Sequence, residues 1–351
     1  MSTSNRRCMV PQLQQDKTSP RARLEIVEAV SRTSFENDHV LLKVLVCGVC
    51  HSDTFCVLGM MGGSYPAVPG HEVIGKVVKI GAGDIASTFA EGAIVGVGWH
   101  GDHCLSCEAC SDGDFVCCQR AKACGIHIHG GYQEYMVAAA KALARVPEGM
   151  DPITAAPMMC AGVTVFNGLR SHNDKANPPA LVAVVGIGGL GHLAIQYAAK
   201  MGYTVVAISR GTEKKDYALE LGATHYIDSK AQNSSEVLQS LGGAKIILCT
   251  ATHSKVMADC IGGLGRNGKL IVLGIGEDPI PVMAIQLIKK RCSIVGHPAG
   301  SPRDSQDAME FAHLHGIAPK TVVFNGIDKA PEAYDAMIKG EYRVVVKIAD
   351  E

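Results

Sequence analysis

Charge of one sign is scarce in this sequence: 33 Lys and Arg stand against 34 Asp and Glu, a formal net charge of −1, with no long run of either sign. That balance argues against nucleic acid or an acidic membrane surface as a partner. Long apolar runs are missing too, none approaching the ~20 residues that span a bilayer. Arg6, Arg7 and Lys17 have no apolar segment behind them, so no secretory leader is expected and the cytoplasm is the default compartment. What remains, 47% hydrophobic and 19% charged residues, is the composition of an ordinary soluble globular protein. At 351 residues the chain exceeds what one hydrophobic core usually organises, so two domains are expected.

Cysteine, by contrast, is abundant, at 14 residues. In a reducing compartment clustered cysteines bind metal or catalyse more often than they form disulfides. Cys104, Cys107, Cys110 and Cys118 are spaced C-x2-C-x2-C-x7-C in a stretch with little to build a core. Four thiolates close a tetrahedral site with no open position, which makes the expected zinc structural rather than catalytic. Cys117 or His103 could replace one of the four, and reduced surface thiols are the alternative.

A second cluster lies in residues 47–72. A Cys50-His51-Ser52-Asp53 run is followed by a glycine- and methionine-containing segment and then Gly70-His71-Glu72. Thiolate and imidazole are ligands that zinc prefers, and a catalytic zinc keeps three protein ligands with one position open. Cys160 is the candidate third ligand. Each of these residues alone would more often be a buried hydrophobe or a hydrogen-bonded loop residue. His127, His129, His313 and His315 belong to no motif, and Met60 and Met61 either line a substrate pocket or pack.

Residues 1–23 are polar and read as a loose arm or short early strands. Short strands are expected at 40–46, 73–80 and 93–97, consistent with a small β-barrel or folded sheet. After Pro178 and Pro179 the pattern changes. Residues 181–185 form an apolar strand that runs into Gly186-Ile187-Gly188-Gly189-Leu190-Gly191, and the apolar residues from Leu190 to Met201 then recur on one helical face. A G-x-G-x-x-G turn framed by strand, helix and a further strand at 204–208 is a dinucleotide site, with a merely structural glycine turn as the alternative. Strands at 226–227, 246–249, 269–273 and 292–295 bring the parallel sheet to six. Helices at 304–315 and 331–339 and a strand at 344–348 close the chain. The fold class is α/β, with a β-rich domain at 1–161 to which 299–351 return and a Rossmann doubly wound domain at 162–298.

The residue ending the second Rossmann strand bears on the cofactor. An NAD site places a carboxylate there, whereas this chain has Ser209, then Arg210 and Lys214. NADP(H) is therefore favoured and NAD(H) remains possible if the two cations are only solvated surface charges.

With these motifs in order, the chain resembles the zinc-containing medium-chain alcohol dehydrogenases, in particular their yeast-type and cinnamyl-type members. The resemblance rests on Gly48-Val49-Cys50-His51-Ser52-Asp53, Gly70-His71-Glu72, the four-cysteine loop preceded by Trp99, Cys160-Ala161-Gly162-Val163-Thr164 and the glycine-rich turn before His192. It implies a GroES-like catalytic domain and two zinc ions per chain, one held by Cys50, His71 and Cys160 and one by the four-cysteine loop. It further implies Asp53 orienting the imidazole ligand, Glu72 behind the metal, Ser52 accepting the alcohol proton, His51 near the cofactor pyrophosphate and Thr164 near the nicotinamide. Arg343 is similar in placement to a residue that binds the pyrophosphate, and Ser209, Arg210 and Lys214 match the spacing of a 2′-phosphate site. A homodimer or homotetramer is implied, and because zinc and dinucleotide must meet, the active site is expected in the cleft between domains. One position departs from the family: Phe55 stands where many members have a histidine that passes the proton to solvent. The relay then ends at the ribose hydroxyl, runs through water or uses another base such as His51.

The expected reaction is interconversion of a small-molecule alcohol and its aldehyde or ketone by hydride transfer. A zinc-free enone or quinone reductase, a polyol dehydrogenase and a non-catalytic zinc-stabilised binding or redox-sensing protein are the alternatives.

Overall fold

A computed structural model describes residues 3–12, 24–31, 37–174, 176–340 and 342–350. The chain divides into two compact units, Met1–Val163 with Gly300–His313 and Pro319–Glu351, and Thr164–Ala299 with Leu314–Ala318.

The first unit is built on a seven-stranded sheet. Its order is Thr321–Asn325, Arg343–Lys347, His39–Val49, Glu72–Ile80, Ile94–Val97 and Leu143–Arg145, with Tyr135–Ala139 also paired to His39–Val49. Only the first pair is parallel. His39–Val49 runs three residues beyond the expected 40–46, because every residue from Leu45 to Val49 is buried and the run stays paired on both sides. That extension carries the chain directly to Cys50. Leu42, Val44, Val73, Val95, Tyr132, Met136 and Tyr334 pack into the core beside the sheet.

At the start of the chain Thr3–Met9 pairs antiparallel with Glu25–Ser31, while the expectation for 13–23 lies outside the described residues. Strand Thr321–Asn325 was not foreseen, being a short run of mostly exposed residues at a sheet edge. No single helix among the described residues is long and apolar enough to cross a membrane.

The second unit is a six-stranded, all-parallel sheet in the order His225–Asp228, Thr204–Ser209, Leu181–Val185, Ala244–Cys249, Leu264–Val272 and Ser293–Gly296. This is the doubly wound order, in which the strand carrying the glycine turn lies next to the switch point. Strand Leu264–Val272 begins five residues before the expected 269, since Gly265 and Gly268 lie against the backbone of Gly243 and Ala244, where a Cβ would meet main chain at 2.7–2.8 Å.

Leu42 is wholly inaccessible in the core of the first unit. Leu42→Ala is expected to destabilise that unit by about 2–5 kcal/mol, read as a lower midpoint in denaturant unfolding.

Candidate active site

Three neighbouring strands converge on one end of the first sheet. In their register Gly48 faces Glu72 and Val344 faces Val49, so Cys50, His71 with Glu72, and Arg343 arrive side by side although they are far apart in sequence. The fourth member, Cys160, follows the 3₁₀ turn Ala156–Met159, whose Met159 lies against Gly96 and Gly98. A Cβ on Gly96 would meet Met159 Sδ at 2.5 Å, so the bare strand is what lets this turn approach.

One ligand atom each from Cys50, His71, Glu72 and Cys160 lies within 4.8 Å of the others. The two Sγ atoms are 3.8 Å apart, which matches the edge of about 3.8 Å expected for a tetrahedron with zinc–sulfur bonds of about 2.3 Å. His71 Nδ1 bonds Asp53 Oδ1 at 2.8 Å, while its buried Nε2 has no hydrogen-bond partner among the described residues. Glu72 accepts a hydrogen bond from Arg343 Nη2 at Oε1, and its buried Oε2 is likewise unpartnered. Buried polar atoms are rarely left unsatisfied, and a cation among two thiols, an imidazole and a carboxylate would satisfy these.

The electrostatics point the same way. A hydrogen bond from Cys160 is the main cause holding the Cys50 thiol well below its usual range, with His71 and Arg343 adding to it against the effect of burial. Burial works against charge on His71, yet Asp53 and Cys50 raise its pKa well above the ordinary value. An imidazole ligand is neutral, so a metal at Nε2 would compete with protonation there. Burial raises Glu72 to about 7, opposed by Arg343. The four residues thus form a thiolate-bearing, acceptor-rich cluster suited to a divalent ion of intermediate softness such as zinc.

Asp53 anchors the cluster. Its Oδ2 accepts from the Cys50 amide at 3.0 Å and the Tyr132 hydroxyl at 2.8 Å, and its Oδ1 accepts from the Gly70 amide at 3.2 Å as well as from His71. Tyr132 and Trp99 were not foreseen as parts of the site; the Trp99 ring stands edge-on to His71 at 5.1 Å and to Phe55 at 6.3 Å. Ser52 is half-buried, His51 is exposed and Thr164 is buried. Arg343, read from the sequence as a pyrophosphate contact, is 4% exposed and holds Glu72.

The second cluster, Cys104, Cys107, Cys110 and Cys118, also has its four thiols within 4.8 Å. Cys104 Sγ lies 3.9 Å from Cys110 Sγ and 3.5 Å from Cys118 Sγ. Backbone and side-chain donors of Ser106 bring Cys104 down to about 5, and the Cys104 and Arg120 amides point at Cys118 Sγ. Burial and its thiol neighbours instead raise Cys110 to about 11, so the four thiols do not share one electrostatic environment. Leu105 turns the first knuckle with a left-handed φ of 58°. Cys117 is exposed and outside the cluster, and His103 is buried against His100 at 2.9 Å and stacked on Phe115.

In the second unit Gly186 takes φ +90 after its strand, and a Cβ on Gly191 would meet the Gly186 carbonyl at 1.8 Å. Gly188, Gly189 and Leu190 complete the turn into helix Gly191–Lys200. Lys214 Nζ donates to the Ile187 carbonyl at 2.8 Å, and burial lowers its pKa. Ser209 ends the second strand and Arg210 is exposed beside it. The carboxylate on the next strand, Asp228, accepts from the Gly211 and Lys230 amides.

Comparison with known proteins agrees with this geometry. Residues 36–148 match the alcohol dehydrogenase GroES-like domain, and residues 189–313 the zinc-binding dehydrogenase family. The chain belongs to the zinc-binding alcohol dehydrogenases. It is 44% identical to alcohol dehydrogenase patD of Penicillium expansum, over 90% of this chain and 92% of that one. A probable cinnamyl alcohol dehydrogenase of Arabidopsis thaliana is 34% identical over 91% and 90% of the two chains. Among solved structures, a Sorghum bicolor cinnamyl alcohol dehydrogenase superposes with a TM-score of 0.85 at 28% identity, covering 98% of each chain. This dehydrogenase interconverts alcohols with aldehydes or ketones using NAD(P).

Cys104→Ser is expected to lower bound zinc by about one equivalent per chain and to reduce the melting temperature, because the loop has little apolar burial to hold it. Elemental analysis beside a thermal melt checks both.

Proposed function

We propose that the chain is an NADP(H)-preferring, two-zinc alcohol dehydrogenase, with the catalytic ion on Cys50, His71 and Cys160 and the structural ion on Cys104, Cys107, Cys110 and Cys118. The observation that carries the reading is the buried His71 Nε2, left unpartnered beside two thiols and a carboxylate. A zinc-free enone or quinone reductase has no use for that set of ligands.

When bound, zinc supplies a Lewis acid that eases deprotonation of the substrate oxygen, and the nicotinamide carries the hydride. Ser52, half-buried two residues after Cys50, accepts the alcohol proton in oxidation while its own hydroxyl proton passes on to the cofactor ribose hydroxyl or to water, and the exchange runs backwards in reduction. Phe55 holds no proton and packs edge-on to Trp99, so any relay beyond Ser52 bypasses that position. Asp53 fixes the His71 ring so that Nε2 is the free nitrogen. Arg343 holds Glu72 behind the ligands in addition to any contact it makes with the cofactor.

On the nucleotide side, Gly186, Gly188, Gly189, Leu190 and Gly191 admit the pyrophosphate to the start of helix Gly191–Lys200. His51 adds a polar contact to the pyrophosphate and Thr164 orients the nicotinamide. Ser209, Arg210 and Lys214 take the 2′-phosphate, since no carboxylate ends the strand Thr204–Ser209 to repel it. The apolar ring of Trp99 beside His71 favours an apolar alcohol over a polyol. Fourteen cysteines with no disulfide among them suit a cytoplasmic setting, and a homodimer or homotetramer rests on the family resemblance alone.

A panel of apolar aldehydes and polyol-derived ketones, assayed with NADPH and with NADH, tests the reading. Fast reduction of apolar aldehydes with NADPH is expected. Arg210→Ala should lower kcat/KM for NADPH by about 10- to 100-fold, the worth of one charge-assisted contact, and leave NADH turnover nearly unchanged. An equal loss for both cofactors would contradict the 2′-phosphate site.

A further inference from the structure

Tyr132 is wholly buried, and no motif of the sequence points to it. Its hydroxyl donates to Asp53 Oδ2 at 2.8 Å, while His71 Nδ1 occupies Oδ1 of the same carboxylate, also at 2.8 Å. Two short side-chain contacts on opposite oxygens set the plane of a group whose terminal torsion is otherwise broad.

The tyrosine is itself held against the segment that carries His71. The Gly130 amide donates to the Val68 carbonyl, Gly131 to Gly70 and Tyr132 to Pro69, at 2.7, 2.9 and 3.1 Å. Its ring lies over Gly70, where a Cβ would meet Tyr132 Cδ1 at 2.7 Å and where φ is +100. The Cys50 amide donates to the same oxygen that Tyr132 uses. A closed circuit therefore joins the two ligand-bearing segments: the main chain of Gly131 and Tyr132 to Gly70 and Pro69, the Tyr132 hydroxyl to Asp53, and Asp53 to both Cys50 and His71.

We propose that Tyr132 is a positioning residue of the catalytic metal site, acting through Asp53 to hold the His71 imidazole and the Cys50 turn in metal-binding register. The proposal rests on the reading of Cys50, His71 and Cys160 as ligands. Phenylalanine would keep the ring's packing, and Asp53 Oδ2 would retain the Cys50 amide, so Tyr132→Phe removes the orienting contact without emptying the core.

The test follows zinc transfer from the intact protein to a chromogenic chelator, which resolves the two sites as two phases. Wild type, Tyr132→Phe, Asp53→Asn and the double variant are compared, with the visible spectrum of the cobalt-substituted enzyme as a second readout. Tyr132→Phe should release the catalytic-site metal about 10-fold faster, the low end of effects seen when partners of metal ligands are removed. The four-cysteine phase should be unchanged, the cobalt bands of the thiolate–imidazole site should shift, and the double variant should match Asp53→Asn. Unchanged release, acceleration of both phases together, or a Tyr132→Phe effect that persists in full on Asp53→Asn would overturn the proposal. A wild-type protein that holds metal only at the four cysteines would overturn the ligand reading itself, which a null result at Tyr132 alone would not.

Discussion

Everything at the catalytic end depends on strand register. Because side chains alternate across a strand, a slip of one residue between His39–Val49 and Glu72–Ile80 would send His71 and Glu72 away from Cys50. Pairing of Arg343–Lys347 on the other side of the same strand adds a third fixed end. The buried valines and leucines of these strands therefore do more than stabilise the sheet. They set the separation of groups that local sequence leaves far apart.

The second constraint is electrostatic. Glu72 and Arg343 form an ion pair with side-chain exposures of 0% and 5%, beside a depressed thiol. Desolvation makes such a pair a weak source of stability, though losing one partner is costly. Its presence is understandable as part of a site that accumulates negative ligands around a cation, with Arg343 holding one oxygen of Glu72 and leaving the other open.

Much of this was readable in the sequence because the chemistry lies in local spacing. The four cysteines fall in one short loop, Cys50 and Asp53 are one turn apart, and the glycine turn sits between a strand and a helix. The six-stranded sheet was visible from its continuous apolar runs. What escaped was long-range: Tyr132 meets Asp53 across 79 positions, and Arg343 meets Glu72 across 271. Neither pairing has a periodicity or a motif. The bare positions Gly70 and Gly96 gain meaning only when Tyr132 and Met159 are seen against them. The edge strand Thr321–Asn325 was missed because exposed residues mask its pattern.

The central claim, that two thiols and one imidazole nitrogen hold a catalytic zinc, is tested most directly by anomalous diffraction at the zinc edge on crystals of the purified enzyme. The account predicts two peaks per chain, one among the four loop cysteines and one bounded by Cys50 Sγ, His71 Nε2 and Cys160 Sγ. A single peak at the loop, or a second ion bound away from His71 Nε2, would contradict it.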